Sequence, residues 1–137
     1  EKSFGIWSRE FTWAYTPKMS GLDRFVAFNK GEFIGRDAAQ REQAAGDPRQ
    51  RLVTLRVAAT DADASGFEPV WQGERRVGFV TSGAYGHCTR QSLALAYVDA
   101  DVAKVGAELA VDVVGERVAC QIIAPSPYDP GNARMRA

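Results

Sequence analysis

Histidine is the scarcest chemistry-bearing residue in this chain of 137 residues, and His87 stands alone. One imidazole and two cysteines, Cys88 and Cys120, without CxxC spacing do not supply the ligand clusters that zinc and haem sites require, so no metal site is expected. Two cysteines are also too few for a disulfide framework, and they read as buried or idle thiols of a reducing compartment. Charge of one sign is lacking as well, since 17 Lys and Arg balance 17 Asp and Glu. These charges are scattered along the chain, so no field favours a polyphosphate and nucleic acid is not an expected partner. No run approaches the roughly 20 apolar residues of a membrane helix, and no basic-then-apolar leader precedes a cleavage site, so the chain reads as soluble, with no membrane partner.

What is present is an ordinary globular composition, 45% hydrophobic and 25% charged, in a chain long enough for one self-supporting core with an appendage. Glu1 is not an initiator methionine, and the opening residues give no start signal for a domain, so the chain reads as a piece of a longer polypeptide. Residues 1–30 are dense in aromatics (Phe4, Trp7, Phe11, Trp13, Tyr15, Phe25 and Phe28). Such density marks an interface or the edge of a core, and Thr16-Pro17 breaks it in two. Good helix formers from Arg36 predict a helix of about ten residues that stops at Gly46-Asp47-Pro48.

From Arg51 the hydrophobic period changes to two, which predicts an all-β module. The expected strands are Leu52–Val57, Glu68–Trp71, Arg76–Thr81, Leu93–Tyr97, Glu108–Val113 and Arg117–Ile123, with hairpin turns at Gln72-Gly73 and around Val114-Gly115-Glu116. Many short strands in so few residues favour a small closed barrel of six strands, which also leaves no exposed edge. The Pro-rich tail from Pro125 is expected to cross a surface in extended form.

The search for chemistry removes most candidates. His87 precedes Cys88 directly, and neighbours on a strand face opposite ways, so they do not form a nucleophile–base pair. Asp61 and Asp63 imitate the start of a calcium loop but lack its closing glutamate, and read as turn acids. Gly83-Ala-Tyr-Gly86 lacks the Lys-Ser/Thr of a phosphate loop and reads as a tight barrel loop. Two features survive. Phe4 and Trp7, three apart, share a face if the opening segment is helical and offer a flat wall to a heteroaromatic ring. Tyr128 with Arg134 and Arg136 on the tail offers guanidinium groups to a carboxylate ligand.

An ordered series of motifs then carries a resemblance: Glu1-Lys-Ser-Phe-Gly-Ile-Trp7, Thr16-Pro17, Gly21-Leu22, Lys30-Gly-Glu-Phe-Ile-Gly-Arg-Asp-Ala38 and Arg51-Leu-Val-x-Leu55. It continues through Gly73-x-x-x-Val77, Gly78-x-Val-Thr-Ser-Gly-Ala-Tyr-Gly86, Ser92-Leu-Ala-Leu-Ala-Tyr-Val98, Gly106 and Pro127-Tyr-Asp-Pro130. Taken together, the series resembles the C-terminal part of the folate-dependent aminomethyltransferase (glycine cleavage T-protein) family. Its wording is most similar to the fused dimethylglycine and sarcosine dehydrogenase-type enzymes.

The resemblance implies a mainly β fold in which residues 51–137 form a six-stranded C-terminal barrel. Residues 1–50 would be the α+β tail-end of the folate-binding domain and its linker helix. It implies a parent enzyme that moves a one-carbon unit from an amine to tetrahydrofolate, with FAD in a separate N-terminal half if the parent is a fused dehydrogenase. The family's catalytic aspartate and pterin-gripping glutamate fall upstream of Glu1, so no catalytic residue is expected here and the chain alone would be inert. Phe4 matches a position where the family often carries Tyr against the pterin, and Arg134 falls near where family tails offer Arg or Tyr to the folate. Phe4, Trp7, Tyr128 and Arg134 are therefore the candidate cofactor-binding residues, with Arg136 the alternative on the tail. The implied partners are the upstream folate-binding domain and folate itself. If that domain is missing, Phe4, Trp7, Trp13 and Phe25 would lie partly exposed and favour self-association through residues 1–30. The implied compartment is the bacterial cytoplasm, or the mitochondrion in a eukaryote. A barrel that serves only domain or subunit assembly is the alternative reading.

Overall fold

The structure, a computed structural model, describes residues 1–137. Alternating side chains from Gln50 onward produce six strands: β1 (Gln50–Val57), β2 (Pro69–Gln72), β3 (Arg75–Gly86), β4 (Gln91–Asp99), β5 (Glu108–Val113) and β6 (Glu116–Ile123). They close into an antiparallel barrel in the order β1-β4-β3-β2-β5-β6. One face of every strand points inward. Leu55, Val70, Val80, Val98, Val111 and Ile122 meet there in a single core, each such burial stabilising by about 1.5–3 kcal/mol. Small Ala94 and Ala96 on β4 belong to the same core and leave room for the larger side chains across the narrow barrel. No helix is long and apolar enough to cross a membrane.

The barrel is the mainly β, six-stranded fold that the sequence pattern and the resemblance imply, with differences in its elements. Gly83–Gly86, expected as a tight loop, is the end of β3 and pairs with Gln91–Ala94. Gly83 is required there because a Cβ would meet the Ala64 carbonyl oxygen at 2.2 Å, so this glycine serves close packing instead of a turn. A register shift between Val80 and Ser82 bends the long strand, as bulges do. The hairpin at Gln72-Gly73 turns one residue later, through Gly73 and Glu74.

The predicted helix is α1 (Arg36–Ala44). It buries no residue and is tied to the preceding segment by polar bonds. Lys18 Nζ donates to the carbonyls of Glu42 (3.0 Å), Gln43 and Gly46 at its C-terminus, where a cation is favoured. The Thr16 hydroxyl donates to Glu42 at 2.6 Å.

Residues 1–22 are not helical, which corrects the condition placed on Phe4 and Trp7. They form an extended stretch followed by tight turns, because the segment follows the barrel surface instead of satisfying its own backbone. It covers the outer face of β1 and β4, where Thr54, Leu93 and Tyr97 are buried although they lie opposite the inward-facing row. Glu10 is the anchor. Its residue is 0% exposed, and its carboxylate accepts the Ile6 N–H at 2.7 Å and the Ser82 hydroxyl at 2.7 Å. The Tyr97 hydroxyl donates to the Glu10 carbonyl at 2.9 Å, with the Ser20 hydroxyl 2.7 Å away from it. Tyr15 stacks on Tyr97 at 3.8 Å between ring centroids, and Arg9 donates to the Thr81 carbonyl at 3.1 Å. Gly5 permits the tight return, since a Cβ would meet the Phe11 ring at 2.6 Å.

Burial alone would raise the Glu10 carboxyl, but hydrogen bonding outweighs it and holds the group below its ordinary value of 4.5. The causes are the Thr81 side chain, the Ile6 N–H and the Ser82 hydroxyl. Removing such a buried, hydrogen-bonded carboxylate leaves its donors unpaired, and Glu10→Ala is expected to lose about 3 kcal/mol in denaturant unfolding. A depressed folded-state value stabilises above the ordinary one and loses that stabilisation as pH falls through it. The gap between wild type and Glu10→Gln is therefore expected to be full above pH 4.5 and to shrink at lower pH.

Candidate functional site

The anchored segment and the barrel enclose a groove of about 380 Å³. Its floor is Leu93, Leu95 and Ala84 on the outer face of β3 and β4, and its walls are Phe4 and Ile6 on one side and Tyr85 on the other. Glu1 stands at one end. One of its carboxylate oxygens accepts the backbone N–H groups of Cys88 (2.8 Å) and Thr89 (2.9 Å) in the β3–β4 turn. The Thr89 N–H is the main cause that keeps this carboxyl below its ordinary range, against some loss of hydration and with help from Cys88. The other oxygen, Oε2, accepts no hydrogen bond within the chain. An apolar floor, a flat ring at Phe4 and an ionised carboxylate with a free oxygen can hold a planar ring that carries N–H donors.

The four candidate residues end in different places. Phe4 lines the groove and is 63% exposed. Trp7 does not line it; 81% exposed, it forms an isolated bridge with Phe11, because the chain turns where a helix would have brought it beside Phe4. Tyr128 and Arg134 are together on the tail, where the guanidinium donates to the Tyr128 hydroxyl at 3.1 Å. The tail is not simply extended, since Asp129 through Ala133 make a turn closed by Asn132 N–H to Asp129 O at 3.0 Å. It is tied to the groove by Lys2, whose Nζ donates to the Asp129 carbonyl (2.5 Å) and to Asn132 (2.6 Å) and lies 5.8 Å from the Phe4 ring centroid. Ser3 and Ser126 add two bonds, Ser126 N–H to Ser3 Oγ and Ser126 Oγ to the Lys2 carbonyl. Arg136 is exposed, and its backbone N–H reaches Ala133 O at 3.3 Å.

Two groove residues escaped the sequence reading. Glu1 gains its role from the turn at Cys88 and Thr89, far away along the chain, and Tyr85 gains its role from the strand extension of Gly83–Gly86. His87 and Cys88 form no catalytic pair. His87 packs edge-on against Tyr85 at 5.2 Å, and the thiol of Cys88 is exposed while Cys120 is buried. Burial pushes the Cys120 thiol up to about 12, which keeps it neutral and unreactive.

The sequence model of the glycine cleavage T-protein C-terminal barrel domain matches residues 50–129, from the first residue of β1 to the Asp129 held by Lys2. The chain belongs to this family. Among its relatives, the mitochondrial dimethylglycine dehydrogenase of Mus musculus is 36% identical over 99% of the chain, and that of Homo sapiens is 38% identical over 90%. The aminomethyltransferase of Rippkaea orientalis is 34% identical over 93% of the chain. These relatives are named as enzymes, and the chain spans 16%, 14% and 34% of their respective lengths. In fold, the chain matches the glycine cleavage system aminomethyltransferase T from Bartonella henselae with a TM-score of 0.82 at 22% identity. That match covers 90% of this chain and 35% of the other. The matched span takes in all six strands of the closed barrel, and the groove lies where the preceding segment meets it.

Lys2 is expected to set the tail's position. In Lys2→Ala, the Tyr128 amide, which donates to the Glu1 carbonyl at 3.2 Å, should exchange its hydrogen severalfold faster while amides inside β4 keep their rate; an unchanged Tyr128 amide contradicts this.

Proposed function

We propose that this chain is the C-terminal part of a tetrahydrofolate-dependent aminomethyltransferase-type enzyme, in which it completes and caps the folate site. The parent would transfer a one-carbon unit from an amine, glycine-derived or dimethylglycine or sarcosine, to tetrahydrofolate. The observation that carries this reading is the family barrel together with a ring-lined groove beside it, joined by Lys2 to a tail that presents an arginine. The cofactor-binding residues proposed are Phe4, Tyr128, Arg134 and Trp7. Phe4 would lie flat against the pterin, and Arg134, held by Tyr128, would pair with a carboxylate at the far end of the folate. Trp7, standing off the groove, is assigned to the wall that an upstream folate-binding domain would complete.

The chemistry of transfer would belong to the upstream domain, where the resemblance puts the family's catalytic aspartate and pterin-gripping glutamate. Residues 1–50 would be the end of that domain and residues 51–137 the barrel. What this part supplies is orientation, which is where much of the rate gain in such a transfer arises. A fused dehydrogenase parent would add FAD in a further half, where the amine would be oxidised before its carbon is captured. Such a parent would be mitochondrial in a eukaryote, as the two mammalian relatives are named, and the bacterial version cytoplasmic.

Nearly complete exposure of Trp13, at 99%, together with Phe25 and Ile34, favours a second reading, in which the barrel serves only assembly with another domain or subunit. Tetrahydrofolate binding to the full-length parent separates the two. Loss of a stacked ring or of a charge-assisted hydrogen bond corresponds to about a tenfold weaker Kd, the result expected for Phe4→Ala and for Arg134→Ala. Unchanged affinity in both variants would leave the assembly reading in place.

A further inference from the structure

A row of register partners crosses the barrel at one open end. Tyr85 lies opposite Ser92, Ser92 opposite Val57, Val57 opposite Cys120, and Cys120 opposite Leu109. Partners in register share a face of the sheet, and here that face is the interior, since Val57, Leu109 and Cys120 belong to the core. All five line a cleft of about 890 Å³. Tyr85 also lines the groove beside Phe4, so this residue adjoins both spaces.

Ser92 is the unexplained member of this row. It is 4% exposed, and its hydroxyl has no hydrogen-bond partner, a state that costs about 1–3 kcal/mol when nothing offsets it. Its neighbours in the row are apolar or neutral, the Cys120 thiol included. At the rim, Arg90 takes no part in any of the chain's ion pairs. Arg90 is held at the turn with φ 54°, a backbone region that few side chains adopt. Arg56 gives its guanidinium to the neutral Gln121 side chain at 2.7 Å and keeps its charge. Arg117 is neutralised by Asp112 at 3.1 Å and Glu74 at 3.7 Å. Glu108 pairs in register with Gln121, which pairs with Arg56, so it stands two strands from Arg56, about 10 Å. Glu108, Glu74 and Asp112 therefore rim the β5 side. On the other side Arg90 stands two residues before Ser92. The acid at its turn, Glu1, is held by the Cys88 and Thr89 N–H groups and forms no ion pair with Arg90, while Arg56, beside Val57 on β1, faces away from this row.

We propose that this barrel end is a binding site for a small monocarboxylate with a short aliphatic body. The body packs on Val57 and Leu109, the Ser92 hydroxyl donates to the carboxylate, and Arg90 supplies the charge. The site stands apart from the folate reading and does not depend on it.

Sodium hexanoate is the probe, titrated into the ¹⁵N-labelled 137-residue chain at constant ionic strength, with hexylammonium chloride and sodium chloride as controls. Saturable shifts are expected at the amides of Tyr85, Gln91, Ser92 and Cys120 with hexanoate, and not with either control. Arg90→Gln, on the exposed turn, should weaken hexanoate about tenfold, the size of one charge-assisted hydrogen bond, and Ser92→Ala should weaken it as well. If Ser92→Ala does not fold, Arg90→Gln alone decides. The proposal is overturned if hexylammonium shifts the same amides equally or if hexanoate shifts only the exposed aromatic residues of the first segment. It is equally overturned if nothing saturates or if Arg90→Gln binds as the wild type does.

Discussion

A carboxylate out of reach of solvent holds the molecule's two parts together. Glu10 brings a negative charge to the barrel surface and is accepted there because the Ile6 N–H and the Ser82 hydroxyl both donate to it. Without the segment that Glu10 anchors, Leu93, Leu95 and Tyr97 would present a contiguous apolar face to water, of the kind that folded monomers seldom leave open. With it, that face becomes the floor of a groove. The barrel closes through its own six strands; the groove exists only because the segment is fixed.

That constraint propagates to both ends of the first segment. Toward its start, Glu1 reaches the backbone of the β3–β4 turn and Lys2 catches the tail, so three distant stretches meet around Phe4. Toward its end, Met19 gives its carbonyl to Leu52 N–H at 2.9 Å and Lys18 caps α1, so the helix hangs from the wrap and contributes nothing to the core. The division of labour is physical: strands supply rigidity, while the groove is assembled by polar bonds between segments remote in sequence. The proposed folate-capping role suits this arrangement, because a cap must present its ring and its cation at fixed positions.

How far the sequence shows this follows from the range of the interactions. Strand β5 is predicted to its ends at Glu108 and Val113, because alternation and a flanking turn are local signals. The far half of β3 is hidden, since Gly83 and Gly86 look like turn residues until the approach of Ala64 is known. The helical expectation for Phe4 and Trp7 fails because the segment's path is set by the barrel beneath it. Phe4, Tyr128 and Arg134 are named as candidates through resemblance and composition. Glu1 and Tyr85 are not, since a carboxylate that caps a turn some 87 residues away leaves no local mark, and neither does the register that turns Ser92 into an orphaned hydroxyl.

Native-state hydrogen exchange at the Ile6 amide, the one that donates to the Glu10 carboxylate, bears most directly on this account. If the wrap and the barrel are one cooperative unit, Ile6 exchanges only through the global opening that also releases the amides of Leu55 and Ala96, with the same free energy and denaturant dependence. An Ile6 amide that exchanges through a low-energy local opening while Leu55 and Ala96 stay protected would contradict it, and the groove would then be a transient feature of a loosely attached segment.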